Sequence, residues 1–168
     1  MKIMLHAGFS LIELMVVLTI IGSLVLLSTS NTLFFNRSIV SAQLEQLYSM
    51  CHLARQTALS TNQAQSIHFD IASNTYYWGD RKEVLPRTIR FGFIPGVQGP
   101  PSNPTTILHT PITFSGNKIT FYPDGIIQAG TLYLTDEHQT IMYALSNAVS
   151  QFSYIRMYRY DGTWRILS

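Results

Sequence analysis

The sequence predicts an α+β protein: a long N-terminal helix, apolar in its first half, packed on an antiparallel β domain. Three observations carry this. Residues 9–27 form an apolar run broken by a single charge, Glu13. Val40, Leu44, Leu47, Cys51, Ala54 and Ala58 then recur at alternating steps of four and three, with polar residues on the other faces, which is the pattern of an amphipathic helix. From Gln65 the texture changes to short β-type runs separated by turn residues.

The apolar run, nineteen residues long, makes about 28 Å of helix and nearly matches a hydrocarbon core of about 30 Å. No Pro or Gly interrupts residues 23–62, so the helix is expected to continue unbroken from lipid onto the globular domain and to stop at Ser60-Thr61-Asn62. The β runs fall at 66–71, 75–78, 88–94, 112–114, 119–122, 130–134, 140–145, 152–160 and 163–167, with Ser73-Asn74, Pro123-Asp124-Gly125 and Asp161-Gly162 as turns. Residues 95–111 hold five of the seven prolines, which excludes a central strand and predicts an exposed loop.

Composition excludes several classes. At 168 residues the chain has room for one modest domain beyond the apolar segment. A net charge of +2 is a poor footprint for a polybasic nucleic-acid protein. The single Cys51 rules out an internal disulfide, and its place on the packed stripe reads as a small buried apolar residue. No nucleophile elbow, paired cysteine, HExxH or phosphate-cradling Gly loop is present, so no catalytic activity, metal or cofactor is expected. His68 with Asp70, and Asp136, Glu137 and His138, carry metal-ligating chemistry, but they read as a solvated strand face and an acidic turn, because a metal needs ligands converging from several segments.

Glu13 is the informative residue. An acid inside a spanning helix costs roughly 2.5 to 3.5 kcal/mol near the bilayer centre and needs a partner. Cutting between Gly8 and Phe9 would supply one, because Phe9 would then carry a free amine. A conventional secretory signal, cut after Ser28-Thr29-Ser30, leaves Glu13 in the signal's apolar region without a task; an uncleaved membrane anchor is the other plain reading. A short leader with Lys2, then Gly8, Phe9, Glu13 and the Leu11-Ile12-Glu13-Leu14-Met15 core, resembles the prepilin signal of the type IV pilin and pseudopilin family. The resemblance implies that prepilin peptidase removes residues 1–8, that Phe9 is N-methylated, and that Glu13 pairs with the Phe9 amine during assembly. It also implies a division into leader 1–8, transmembrane and filament-core helix 9–29, amphipathic continuation 30–62 and β domain 63–168. Many pilins carry a kinking proline near the end of the apolar run, where this chain has Ser30.

Two further segments resemble the H-type pseudopilins and FimT-like minor pilins, the GspH/FimT-like group. They are residues 54–70, from Ala54-Arg55-Gln56 into Ile67-His68-Phe69-Asp70, and residues 119–134, from Ile119-Thr120-Phe121-Tyr122-Pro123-Asp124-Gly125 to Leu134. That group implies a β-sandwich on the helix and a non-enzymatic minor subunit of a type II secretion pseudopilus or a type IV pilus. Its partners would be prepilin peptidase, other pilins or pseudopilins, a secretion or pilus assembly platform and the inner-membrane bilayer, with the C-terminal domain in the periplasm or outside the cell. The alternative is a DNA-binding minor pilin of a DNA-uptake machine. It would use Arg156, Arg159 and Arg165 among Tyr154, Tyr158, Tyr160 and Trp164, a group that reads more readily as a cross-strand surface pairing flanking a hydrophobic sandwich edge. A third reading, an anchored lectin or adhesin, would use the 95–111 loop.

Overall fold

The computed structural model describes residues 10–29, 32–100, 105–147 and 154–167, with backbone only for 26–29 and 32–36. Two helices, α1 (Leu11–Thr29) and α2 (Thr32–Thr61), precede nine strands: β1 (Gln65–Asp70), β2 (Thr75–Trp78), β3 (Arg81–Val84), β4 (Ile89–Phe91), β5 (Lys118–Phe121), β6 (Gly130–Asp136), β7 (Met142–Asn147), β8 (Ile155–Tyr160) and β9 (Trp164–Ile166). The chain divides into two compact units, Met1–Phe35 and Asn36–Ser168. Whether α1 and α2 run on as one helix depends on Ser30 and Asn31, which lie outside the described residues.

In the second unit the predicted stripe of α2 is buried throughout: Val40, Leu44, Leu47, Cys51, Ala54 and Ala58 are each 1% exposed or less. Burial pushes the Cys51 thiol well above its ordinary value, so it stays protonated as a packing group. The helix ends where expected, with Asn62 in the left-handed conformation (φ 54°) that a helix terminus favours.

The strands form two antiparallel sheets, ordered β3-β2-β1-β5 and β4-β6-β7-β8-β9. Alternation along each strand sends one set of side chains inward. Ile67, Phe69, Tyr76, Ile119 and Phe121 of the first sheet join Leu132, Leu134, Tyr143, Leu145, Ile155 and Met157 of the second and the α2 stripe in one core. The fold is therefore α+β and pilin-like, a helix packed on antiparallel sheets. Arg55 reaches from α2 to the turn after β5, its Nη2 donating to Gly125 O at 3.3 Å. Gly125 (φ +83°) makes that turn. Gly130 admits Phe114, whose ring would lie 2.5 Å from an added Cβ.

Three expectations need correction. Arg81–Val84 is a strand that sequence patterning does not reveal; it is an edge strand whose charges blunt further pairing, so it shows no apolar alternation. Residues 112–114 make only an isolated bridge, Ile112 to Leu132, although Ile112 and Phe114 are buried. The 95–111 loop is not simply exposed. Val97 and Leu108 pack with Tyr133, Met142, Ala144 and Tyr158 on the outer face of the five-stranded sheet. Paired backbone segments hold it there, Gly99 N donating to Thr106 O at 2.9 Å and Leu108 N to Val97 O at 3.3 Å. Apolar anchors within a proline-rich stretch turn a loop into a cover.

Asp136 closes the turn between β6 and β7. It is almost fully buried and accepts hydrogen bonds from Thr140 N at 2.7 Å, Thr140 Oγ1 at 2.7 Å and Ile141 N at 2.8 Å. Burial works to raise its pKa, but these hydrogen bonds outweigh it and hold the carboxyl below its ordinary value.

A soluble fragment beginning at Asn36 should fold as a monomer with one cooperative urea transition, and Leu44→Ala should lower its stability by about 3 kcal/mol; absence of a cooperative transition would show that the second unit depends on the first. Asp136→Ala should cost about 2–3 kcal/mol at pH 7, because two backbone N–H groups lose their acceptor. The folded carboxyl titrates below the unfolded value of about 3.9. Its contribution is thus fully present above about pH 4 and is lost as pH falls through the lower folded value, so urea midpoints of the mutant and wild type should converge on acidification.

Candidate functional site

At the start of α1, Ser10 and Glu13 cap the helix reciprocally. Glu13 N donates to Ser10 Oγ at 3.3 Å, and Ser10 N donates to Glu13 Oε2 at 3.1 Å. This is a capping box, spaced Ser-x-x-Glu: each side chain satisfies a backbone donor that the helix itself leaves unpaired. The carboxylate also sits at the positive end of the helix dipole. Sequence reasoning singles out Glu13 and overlooks Ser10, though the spacing is legible in the sequence. Gly8 and Phe9, at the expected cut, lie outside the described residues. Ser10 follows Phe9 directly, so the Glu13 carboxylate is held one residue from the position where a new amine would appear.

Beyond this cap α1 is apolar on every face, with Leu11, Ile12, Leu14, Met15, Leu18 and Leu24 all more than half exposed. Two of its hydroxyls turn back on the helix, Thr19 Oγ1 donating to Val16 O and Ser23 Oγ to Ile20 O, both at 2.8 Å. Among the described residues no helix is long and apolar enough to cross a membrane. The described side chains of α1 stop at Val25, and the apolar run of residues 9–27 extends beyond them at both ends.

The three C-terminal arginines do not converge. Arg159 and Arg165 are direct partners across β8 and β9 and share Asp161, whose Oδ2 lies 2.9 Å from Arg159 Nη2 and whose Oδ1 lies 3.4 Å from Arg165 Nε. Arg156 has the opposite strand parity. Its guanidinium lies 4.3 Å from the centre of the Tyr154 ring and donates to that hydroxyl. Hydrogen bonding to Tyr158 favours its charged form further. The aromatic face expected from Tyr154, Arg156, Tyr158 and Tyr160 is not open, because Tyr158 is 2% exposed beneath the loop that covers the second sheet. Trp164 packs on Tyr160, with ring centres 5.2 Å apart, and donates its Nε1–H to Gln98 O of that loop at 2.9 Å.

The residues with metal-ligating chemistry serve turns and stacking. Asp70 accepts from Ala72 N at 3.0 Å and from Ser73 Oγ at 2.6 Å, while His68 stacks on Tyr77. Asp136 is held in its turn as described above. Among the described residues, no group of three or more His, Cys, Asp or Glu side chains is placed to hold a metal ion.

Comparison with curated proteins and with solved structures gives no match. Two family models do match. The prokaryotic N-terminal methylation motif covers residues 3–29 and so includes Gly8, Phe9, Ser10 and Glu13. The type II transport protein GspH covers residues 43–150, more than half of the chain, from the α2 stripe through β7. Arg156, Arg159 and Arg165 fall outside both. A prepilin-type N-terminus joined to this pilin-like fold over these matched ranges makes the chain a minor pseudopilin or pilin belonging to the GspH family of type II transport proteins.

Proposed function

We propose that prepilin peptidase cuts this chain between Gly8 and Phe9 and methylates Phe9, and that residues 9–29 hold the mature subunit in the inner membrane with its β domain on the periplasmic or outer side. From there it joins a type II secretion pseudopilus, or the related type IV pilus, together with other pseudopilins and the assembly platform, and has no enzymatic task. The observation that carries this reading is the Ser10–Glu13 cap at the head of an apolar helix. A carboxylate is oriented within one residue of Phe9, where the amine of the chain itself or of a neighbour can reach it. An opposite charge offsets the desolvation of an acid in hydrocarbon, and because the pair closes only at one axial offset between neighbouring helices, it also sets the stagger. The apolar faces of residues 11–27 supply most of the packing between helices.

The DNA-uptake alternative finds no support. Two of its three arginines share the single carboxylate of Asp161, Tyr158 of its aromatic face is covered, and all three arginines lie outside the family match.

Gly8→Val should leave the chain at full-length mass in the membrane, while the wild type loses residues 1–8 and gains one methyl group on Phe9; a wild-type N-terminus at any other position, read by mass spectrometry, would refute the processing step. Glu13→Ala should be processed and inserted normally yet incorporate poorly, with crosslinks to other pseudopilins reduced about tenfold or more, as expected for loss of a desolvated ion pair. Undiminished crosslinking would remove Glu13 from the mechanism.

A further inference from the structure

The two outer sheet faces differ. That of the five-stranded sheet lies under Val97 and Leu108 of the described parts of the 95–111 loop, whereas that of the four-stranded sheet carries a single register row. Lys82 of β3 is opposite Tyr77 of β2, Tyr77 is opposite His68 of β1, and His68 is opposite Lys118 of β5. Their sequence neighbours Ile67, Phe69, Tyr76 and Ile119 point into the core, so these four point away from it. Tyr77 and Lys82 are exposed and His68 and Lys118 half-buried. Among the described residues neither lysine has a carboxylate within ion-pair distance. Asp70, on this same face, accepts from Ala72 and Ser73 of the hairpin turn; the Ser73 hydrogen bonds chiefly, and the charge of Lys82 least, hold its carboxyl below the ordinary value, so its charge partly offsets that of Lys82.

From this row we infer that the outer face of the four-stranded sheet docks an extended acidic segment of a different co-assembling subunit, laid across the strands. The inference rests on the filament reading above for the source of the segment, and on geometry for its chemistry. Strands about 4.8 Å apart set the two lysines about 14 Å apart. In an extended peptide, side chains on one face repeat about every 6.7 Å, so acids at positions i and i+4 meet Lys82 and Lys118, and the side chain at i+2 falls over the hydroxyl and imidazole between them.

The Tyr77 and His68 rings lie 5.0 Å apart and within 7° of parallel. Their faces are turned to each other, which leaves edges rather than a platform outward and disfavours nucleic acid, whose bases bind by stacking on open ring faces. A second copy of this chain lacks the complement, because its sequence nowhere places acids at i and i+4. A partner with like charges would be repelled, so the same row selects between neighbours.

The test uses the full chain in detergent and a labelled peptide alternating Glu and Thr. The peptide should bind in a salt-sensitive manner, and Lys82→Glu with Lys118→Glu should weaken it by about tenfold or more. Arg81→Glu, on the same strand with the opposite parity, should change it by less than about twofold. No binding, an equal loss with Arg81→Glu, or tighter binding of an oligothymidylate of the same length would overturn the inference. In cells, a photo-crosslinking residue in place of Val84, an exposed position on the same face, should capture another pseudopilin, and the double lysine variant should lose that adduct. Capture of other proteins only, while crosslinks from α1 to pseudopilins persist, would overturn the source and leave the filament reading standing; loss of the α1 crosslinks as well would count against both.

Discussion

Every part of the β unit depends on one narrow helical stripe being buried against two sheets at once. The C-terminal part of that stripe is made of small side chains, Cys51, Ala54 and Ala58, and its start of the larger Val40, Leu44 and Leu47, all six buried in the one core. With one cysteine in the sequence, no crosslink limits the unfolded ensemble. Packing density around α2 therefore carries the stability that a disulfide supplies in many small exported domains.

The two sheets share this core but present themselves differently to solvent. On the larger sheet, a proline-rich loop anchored by Val97 and Leu108 covers Tyr133, Met142, Ala144 and Tyr158, and the Trp164–Gln98 hydrogen bond fastens the last strand to that cover. Proline helps here, because it removes backbone donors that a covering segment without regular pairing would leave unsatisfied. On the smaller sheet nothing comparable is present among the described residues, and a charged edge strand stands at its margin. The domain thus has a finished side and an open one.

The sequence makes the helix legible because a 3.6-residue period repeated over six positions has few competing explanations, and all six positions are buried. Most strands are legible for the matching reason, period two between turn residues. β3 is missed because an edge strand has no buried side to imprint a pattern, and the loop cover is missed because two apolar anchors eleven residues apart do not make a period. In the candidate site, Glu13 stands out as a charge in an apolar run, whereas Ser10 looks unremarkable until its hydroxyl is seen on the Glu13 amide. The arginine group misleads because sequence proximity on a hairpin says nothing about which face is covered; only the register shows that Arg159 and Arg165 share Asp161 while Arg156 stands apart.

The reciprocal cap at Ser10 and Glu13 has both members downstream of the Gly8–Phe9 junction, so cutting there leaves it intact. If the amine of Phe9 then takes the carboxylate, as proposed, the step is an exchange of ligands on an acid that is already coordinated. Its free energy is a difference between two satisfied states rather than the removal of a bare charge from a low-dielectric phase.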